Sequence, residues 1–310
     1  MPNINEVKDA IKKNFPDLKV KEIKYFASGC DNDTYFINKK YLLRYPKHKR
    51  SINHIESLLL PKLEKYISIK IPKVIYSGKY KNKSFMIYEP VKGKELDKEI
   101  FKKLSEEEKR VIFYEVIKFL RELQSFPIES ATECGVKITD FREHFKKLLI
   151  NARKKIFPRL SKEEIKKVEQ IFKEYFNNEL NFKYKPSLLH SDLSIDHVFI
   201  DKKNKVSGII DFGDVGIGDP DYDLVYMPDF GNEMFVNYIE NIKNNNLVRK
   251  LKFYLLTCDI NGMIFAKNKD KFNRNLEDLK NRIKTWDNEK IEIHPKVNEM
   301  SGVINGNLKF

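Results

Sequence analysis

The feature that most constrains this chain is a pair of short acidic motifs separated by a predicted β-hairpin. The first motif, residues 190–197, reads HSDLSIDH and contains Asp192. The second, residues 208–214, reads GIIDFGD and places Asp211 directly after an apolar run. The residues between them form two apolar stretches with Asn204 at the turn, which is the pattern of two paired strands. The chain must therefore carry one carboxylate before the hairpin and another at its far end.

Two carboxylates in this order are typical of enzymes that transfer a phosphoryl group from a nucleotide. One acid accepts the proton of the attacking hydroxyl, and the other binds the metal ion that neutralises the phosphates. Protein kinases encode the pair as H-R-D-x-x-x-x-N followed by D-F-G. Here His190, Asp192 and His197 stand at the matching positions of the first motif, and residues 211–213 reproduce the second literally. The two motifs predict a nucleotide-dependent phosphotransferase.

Composition permits this interpretation and argues against others. A chain of 310 residues with 41% apolar residues can form one large domain or two lobes. The formal charge of +14 could indicate nucleic acid or an anionic membrane as a partner. However, the lysines are spread over nearly every segment, and no compact basic block with interleaved aromatic residues is present. A solvated lysine-rich surface explains the charge, and nucleic-acid binding is a distant alternative.

Cysteine usage and the length of the apolar runs predict a cytoplasmic protein. Cys30, Cys134 and Cys258 show no C-x-x-C spacing, which argues against a disulfide framework or a zinc site. The first residues lack the apolar region of a signal peptide, and the longest apolar runs are too short to cross a bilayer. We therefore expect a soluble monomer with no membrane partner.

Periodicity predicts strands in the first part of the chain. An amphipathic helix that Pro16 ends is followed by a mostly antiparallel sheet. A helix is inserted at residues 51–66, and Pro61 should kink or split it. The predicted strands cover residues 20–26, 34–37, 41–45, 73–77 and 84–88.

From Leu96 onward the chain is predicted to be mostly helical. Ser105 and Ser161 each begin a capping box, with a Glu three residues later. Further helices are expected near residues 140–152 and over 234–286, where Asn-rich segments interrupt them; the residues after Lys290 show no period.

This order of elements predicts an α+β fold of two lobes with a site between them. Residues 1–88 would form an N-terminal nucleotide-binding lobe, an antiparallel β-sheet with one helix. Residues 89–94 would form a hinge. Residues 95–310, including a helical part over 133–181, would form a larger, mostly helical lobe for catalysis and substrate binding.

Further segments extend the match beyond the two acidic motifs. They are residues 29–33, 43–48, 91–93, 182–184 and 219–223. With these segments the chain resembles the aminoglycoside phosphotransferases, which are bilobal relatives of the protein kinases. It resembles their 2″-phosphotransferase branch most closely, because His197 in place of the usual Asn is more particular to that branch. The resemblance implies a protein-kinase-like fold, Mg²⁺ as cofactor, GTP or ATP as donor, and an aminoglycoside antibiotic as acceptor, whose phosphorylation gives resistance.

The two motifs assign the chemistry to named side chains. Asp192 is the catalytic carboxylate, which orients the acceptor hydroxyl and accepts its proton. Asp211 is expected to bind Mg²⁺ because hard cations prefer carboxylate oxygens. The resemblance gives His197 a metal-binding role too, although Mg²⁺ prefers oxygen to imidazole nitrogen, so a His that only holds the loop is the alternative. His190 is expected to anchor the loop.

Other acids are expected to support the loop or to face the acceptor. Asp219, the N-cap before Pro220, and Asp223 are predicted braces of the catalytic loop. Because aminoglycosides are polycations, carboxylates should line their site. The candidates for substrate binding are Asp192, Asp196, Asp229, Glu233 and Asp259.

The resemblance places the phosphates of the nucleotide against the N-terminal segment. Ser28 and Gly29 lie where the family has its phosphate-covering loop, which here has a single glycine. Arg44 stands in the place of the family's phosphate-binding lysine, with Glu56 as its ion-pair partner. An arginine differs from lysine in reach but still offers a permanent charge and a bidentate grip on phosphate.

The resemblance also implies a base pocket at the connector. Tyr88 would form its back wall, and the backbone at Glu89 and Val91 would hydrogen-bond the purine, since Pro90 has no N–H. In the 2″ branch a tyrosine at this place accompanies a preference for guanine, so GTP is the expected donor. A core tyrosine with no effect on base choice is the alternative.

Two rival functions stay open. A kinase of another small hydroxyl compound, such as a macrolide or choline, would use the same motifs; choline would need an aromatic cage, for which Trp286 is the single tryptophan. A nucleotide-binding pseudokinase is suggested by Arg44 and the sparse glycine loop. The intact Asp192 and Asp211 argue against it.

Overall fold

The computed structural model describes residues 4–29, 31–48, 53–266 and 268–288. These residues form two compact units. The first unit contains the described residues of Met1–Val136 together with Asp192–Val215, and the second contains Lys137–Ser191 and the described residues of Gly216–Val297. Two features discussed from the sequence, Cys30 and the segment after Lys290, lie outside the described ranges.

The first unit is built on a five-stranded antiparallel sheet with strand order β1-β2-β3-β5-β4. Its strands are β1 (Ile23–Ser28), β2 (Asn32–Ile37), β3 (Tyr41–Pro46), β4 (Lys73–Tyr80) and β5 (Lys83–Glu89). Helix α1 (Ile4–Asn14) precedes the sheet and ends before Pro16, as predicted. Its apolar face, with Val7 and Ile11, packs on the buried side of the sheet.

The start of β1 and the course of the inserted helix differ from the sequence prediction. β1 begins at Ile23 rather than at Val20, because the Asn38 side chain accepts from the Lys21 and Glu22 N–H groups at 2.7 and 3.1 Å and so occupies the backbone there. Helix α2 (Asn53–Leu63) contains Pro61 and is not split by it; it ends at Leu63, short of the predicted Tyr66. A proline so near the C-terminal end removes few helical hydrogen bonds.

The rest of the first unit contains three helices and a small sheet. The helices are α3 (Lys98–Lys103), α4 (Glu106–Gln124) and α5 (Ile128–Glu133). The sheet has the order β6-β8-β9, with β6 (Lys94–Glu95), β8 (Val198–Ile200) and β9 (Val206–Ile209). The antiparallel pairing of β8 with β9 confirms the predicted hairpin, and the capping box of Ser105 with Glu108 is confirmed at the start of α4.

The second unit is mostly helical. Its helices are α6 (Phe141–Lys155), α7 (Lys162–Asn177), α8 (Asn232–Ile242), α9 (Asn245–Ile264) and α10 (Lys269–Lys284). A two-stranded sheet pairs β7 (Ser187–Leu189) with β10 (Gly216–Gly218). The Ser161 capping box is confirmed at α7, and the Asn-rich breaks prove to be N-caps, since Asn244 and Asn268 accept from backbone N–H groups of α9 and α10.

This architecture confirms the α+β class and the N-terminal antiparallel sheet with α2 inserted in it. The lobe boundaries at residues 88 and 94 stay a prediction. Within the described ranges, no helix is long and apolar enough to cross a membrane.

Candidate active site

The backbone just before Asp192 is held by one carboxylate of the second unit. β7 ends at Leu189, and the next two N–H groups, those of His190 and Ser191, both donate to Asp223 at 2.8 Å. His190 and Asp223 are fully buried. A carboxylate that accepts from two backbone N–H groups fixes their direction. Asp223 therefore supports the loop in the way predicted from the sequence.

Asp219 lies at the start of the same supporting segment, the 3₁₀ helix Pro220–Phe230. Its carboxylate caps that helix by accepting from the Asp221 N–H at 3.0 Å. It also accepts from the Tyr254 hydroxyl at 2.7 Å and lies 2.6 Å from the Lys250 ammonium. The predicted N-cap is therefore present, on a 3₁₀ helix, and is buried against a buried lysine.

His197 lies between the loop and the second acidic motif within the first unit. It ends the 3₁₀ turn Ile195–His197, and its Nδ1 lies 2.7 Å from the Asp192 carbonyl oxygen. Because a carbonyl only accepts, Nδ1 carries the hydrogen, and Nε2 is left facing Asp211 Oδ2 at 3.6 Å. Burial lowers the pKa of His197, but the neighbouring carboxylates, Asp211 foremost, outweigh it and raise the pKa above its usual value.

Asp211 is turned outward by an unusual backbone. Its φ of 65° and ψ of 67° lie in the left-handed region, which a non-glycine residue adopts at a cost. Its side chain is 43% exposed, whereas the next residue, Phe212, is fully buried and contacts Phe119 edge-on. The buried ring anchors the turn while the carboxylate faces outward.

The predicted ion pair of Arg44 and Glu56 is formed between β3 and α2. Arg44 Nη1 donates to Glu56 Oε1 at 2.8 Å, and Arg44 Nη2 lies 3.6 Å from Asp211 Oδ1. Glu56 is 1% exposed, and burial raises the pKa of Glu56 to about 7 despite the guanidinium beside it. Arg44 therefore joins the buried acid of α2 to the outward-facing acid after β9.

Ser28 at the end of β1 and Gly29 after it are both hydrogen-bonded to the first residues of β2. The Ser28 hydroxyl donates to Asp33 at 2.8 Å, and the Gly29 N–H donates to the Asn32 carbonyl at 2.8 Å. Lys47 Nζ donates to the Gly29 carbonyl at 2.5 Å. This lysine was given no role from the sequence, although it lies in the segment 43–48 that extends the resemblance.

The connector is fixed onto the hairpin of β8 and β9. The Ser207 hydroxyl donates to the Lys92 carbonyl at 2.7 Å. Val91 is buried, and a Cβ atom on Gly208 would lie 2.3 Å from Val91 Cγ1 and 2.7 Å from the Lys70 carbonyl oxygen. Only glycine at position 208 allows this approach of the connector to β9.

Tyr88 and Glu89 lie at the end of β5. Tyr88 is partly buried and pairs with Leu42 on one side and with Val74 on the other. Burial raises the pKa of Tyr88 to about 12, so the hydroxyl stays protonated. Glu89 is partly exposed, with Lys40 Nζ at 4.0 Å.

The five acids proposed for substrate binding are divided between the two units. Asp192 and Asp196 belong to the first unit, and the Ser194 hydroxyl donates to Asp196. The other three belong to the second unit: Asp229 is buried, Glu233 is exposed in the first turn of α8, and Asp259 is buried.

Asp259 differs from the other candidates in its surroundings. Its carboxylate accepts from Arg282 Nε at 2.5 Å, and the Arg282 residue is only 6% exposed. This pair couples α9 to α10, and an acceptor amine would have to displace the guanidinium to reach the carboxylate.

Two acids of the first unit were missed by the sequence analysis. Burial raises the pKa of Asp214, and Asp211 and Asp31 raise it further. Burial also raises the pKa of Glu95 on β6, with Asp196 adding to the effect. Asp214 could have been noticed because it directly follows the D-F-G motif, whereas nothing in the sequence marks Glu95.

Within the first unit the structure thus brings together Asp192 and His197 of the first motif, Asp211 of the second motif and Arg44 of β3. The contacts run from Glu56 to Arg44, then to Asp211, His197 and Asp192. Within the described ranges, no group of three or more His, Cys, Asp or Glu side chains is arranged to hold a metal ion.

Comparison with known families accounts for this arrangement. Residues 22–251 match the model of a phosphotransferase enzyme family. Because the match covers most of the chain, the protein belongs to this family and is a phosphotransferase.

Solved structures narrow the relationship to one branch. Aminoglycoside 2'-phosphotransferase-IIIa with GDP shares 26% identity over 92% of this chain and 99% of its own, with a TM-score of 0.79. A complex of a 2″-phosphotransferase with GDP and kanamycin shares 27% identity over 89% and 97%, with a TM-score of 0.78. A gentamicin complex of APH(2″)-IIa shares 28% over 90% and 97%, with a TM-score of 0.70. The predicted resemblance to the aminoglycoside phosphotransferases and their 2″ branch, and the kinase-like fold, are confirmed.

Proposed function

We propose that this phosphotransferase transfers the γ-phosphoryl group of a nucleoside triphosphate, preferably GTP, to the 2″ hydroxyl of an aminoglycoside. The observation that supports it most is the contact series from Glu56 through Arg44, Asp211 and His197 to the Asp192 carbonyl. The series joins Arg44, which we assign to the phosphates, to Asp211, which we assign to Mg²⁺, and to the loop that carries Asp192, through contacts of 2.7 to 3.6 Å.

Asp192 would act on the acceptor and Arg44 on the donor. The Asp192 carboxylate orients the hydroxyl and accepts its proton as transfer proceeds, which is catalysis by positioning and electrostatics. Arg44, which donates to the buried Glu56, would direct its remaining N–H groups to the α- and β-phosphates. No covalent enzyme intermediate is needed.

The residues present fit a Mg²⁺ ion held mainly by one carboxylate. Asp211 faces outward with both a cation and an imidazole nearby, and His197 Nε2 is the ring nitrogen directed at it. Mg²⁺ is commonly held by one or two protein carboxylates, with phosphate oxygens and waters completing its coordination. When bound, the ion would neutralise charge on the phosphates. His197 either joins it as a ligand or keeps the loop in place through the Asp192 carbonyl.

A polycationic acceptor would need carboxylates for its amines. Asp196, Asp229 and Glu233 are the candidates for its amines, on a chain whose formal charge is +14. Local carboxylates on a basic protein give an attraction that is confined to the site, since charges are screened over about 10 Å at ordinary ionic strength.

The experiment is release of nucleoside diphosphate with GTP and with ATP against a panel of aminoglycosides, macrolides and choline, with Asp192→Asn as the matched inactive control. We expect turnover with 2″-hydroxyl aminoglycosides and loss of it when that hydroxyl is absent. Turnover confined to a macrolide or to choline would replace the proposed acceptor. Nucleotide binding with no turnover on any compound would support a pseudokinase.

A further inference from the structure

The loop before Asp192 is held at a carbonyl by a side chain that no motif singled out. Tyr226 donates its hydroxyl hydrogen to the Ser191 carbonyl oxygen. The tyrosine is 6% exposed and lies in the 3₁₀ helix Pro220–Phe230. Tyr226 and Ser191 both belong to the second unit.

Ser191 is the residue at which the loop departs from ordinary backbone. Its φ is 65°, in the left-handed region that costs free energy for any residue with a Cβ atom. Such a conformation persists only where the surroundings hold it. The Ser191 N–H is held by Asp223 at 2.8 Å, and the Ser191 carbonyl is held by Tyr226.

The helix type explains how two side chains reach one residue. A 3₁₀ helix has three residues per turn, so side chains three positions apart lie on the same face. Asp223 and Tyr226 have this spacing. Asp223 accepts from the Ser191 N–H and Tyr226 donates to the Ser191 carbonyl. We call these two side chains, Asp223 and Tyr226, the clamp.

We propose that Tyr226 is a positioning residue of the reaction, which acts by holding Ser191 in its left-handed conformation. The peptide unit is planar, so the direction of the Ser191 carbonyl fixes the N–H and the Cα of Asp192. The hydroxyl of Tyr226 thereby helps to fix the Cα position from which the Asp192 side chain extends. This inference rests on the proposed role of Asp192.

The first test measures the loop without any acceptor. Tyr226→Phe removes the hydroxyl and keeps the ring, and Tyr45→Phe is the matched control. Tyr45 is 5% exposed, and its hydroxyl donates to Glu6 at 2.7 Å in the first unit. We expect amide hydrogen exchange in peptides covering residues 190–193 to rise about tenfold in Tyr226→Phe and to stay unchanged in Tyr45→Phe, at comparable loss of Tm. Unchanged exchange in Tyr226→Phe overturns the proposal, whatever the acceptor proves to be.

The second test measures catalysis. Displacement of the catalytic group should lower kcat of Tyr226→Phe by about 10- to 100-fold, with the nucleotide KM within about twofold of the unmutated protein. If Tyr45→Phe loses kcat to the same extent, general destabilisation explains the loss and the clamp is wrong. If the unmutated protein phosphorylates nothing in the panel, the proposed function fails, and the exchange measurement still decides the clamp.

A second variant separates positioning from packing. Glycine adopts positive φ about as readily as negative φ. We therefore expect Ser191→Gly combined with Tyr226→Phe to exchange more slowly at residues 190–193 and to turn over faster than Tyr226→Phe alone. If the double variant exchanges as fast and turns over as slowly as Tyr226→Phe alone, the conformational role is overturned. If Tyr226→Phe does not fold, the double variant is compared with the unmutated protein instead.

Discussion

At the scale of single residues, the two carboxylates of the motifs are expected to fail in different ways. Asp192→Asn should lower single-turnover phosphoryl transfer by at least about 100-fold and leave nucleotide affinity nearly unchanged, because this acid acts on the acceptor. Asp211→Ala should instead remove the Mg²⁺ dependence of nucleotide binding. Quench-flow and nucleotide titrations with and without Mg²⁺ measure both. A wild-type rate in Asp192→Asn would contradict the assignment of the catalytic residue.

Arg44 is expected to tolerate one substitution and not another. Arg44→Lys keeps a cation toward the phosphates, so it should preserve or raise kcat/KM. Arg44→Ala leaves Glu56, which is 1% exposed, without its guanidinium, and should cost about 3 kcal/mol of unfolding free energy besides weakening nucleotide binding. Denaturant unfolding and nucleotide titration of both variants provide the comparison. Normal stability and affinity in Arg44→Ala would show that Arg44 is only a surface cation.

Tyr88 carries the prediction on donor choice. Its ring stands at the end of β5, directly before the connector, where a bulky wall should hold a base outward and favour guanine. We expect GTP to have the higher kcat/KM and Tyr88→Met to shift the preference toward ATP. Solved relatives contain GDP in some cases and ADP or ATP in others, so both donors must be measured side by side. A clear ATP preference in the unmutated protein would refute the idea.

At the scale of elements, helix α1 is tied to the sheet by a charged hydrogen bond. The Tyr45 hydroxyl donates to Glu6 at 2.7 Å, and this bond, with help from Lys83 and Lys81, lowers the pKa of Glu6 below 4.5. A carboxyl whose folded pKa is lowered adds stability above its unfolded pKa and loses it as the pH falls through the folded pKa.

Glu6→Gln should therefore destabilise the protein at pH 7 by about 1 kcal/mol, and the difference should shrink as the pH falls below 4.5. Urea unfolding at pH 7 and at pH 3 measures it. Glu22→Gln is the control, since Glu22 is 45% exposed and lies 3.9 Å from a Lys39 side chain that is 83% exposed, and such surface pairs contribute little. A difference that does not depend on pH would argue against the hydrogen bond as its source.

At the scale of the whole molecule, the candidates for binding nucleotide and metal all belong to the first unit. GTP with Mg²⁺ at 100 times its Kd should stabilise the folded protein by about 2.7 kcal/mol and raise Tm by several degrees. Asp211→Ala should lose the part of this rise that requires Mg²⁺. Scanning calorimetry with GTP, with Mg²⁺ and with both separates the contributions. A rise in Tm that is the same with and without Mg²⁺ would contradict the metal role of Asp211.

Local chemistry made part of this structure predictable. The Ser105 and Ser161 capping boxes and the hairpin after His197 are encoded within a few residues, and each was found where the sequence indicated. The ion pair of Arg44 with Glu56 followed from a motif shared by a large superfamily.

What the sequence did not reveal depends on contacts between distant residues. Tyr226 reaches Ser191 across 35 positions, and Arg282 reaches Asp259 across 23. A tyrosine or an aspartate in a helix has no local pattern that distinguishes such a partner from a solvated or core residue. Strand β1 began late for the same reason, since Asn38 lies beyond the next strand.

The close packing around Gly208 limits how this enzyme could become insensitive to an inhibitor. If the connector holds the base as proposed, an inhibitor that mimics a purine would hydrogen-bond the backbone at Val91, and the Val91 side chain packs against Gly208. A larger side chain beneath a binding pocket can make the pocket shallower and exclude an inhibitor. At Gly208, however, any Cβ atom would lie 2.3 Å from Val91 Cγ1 and 2.7 Å from the Lys70 carbonyl oxygen. A substitution of Gly208 would therefore distort the proposed donor pocket itself, so resistance to such an inhibitor should not arise at this position.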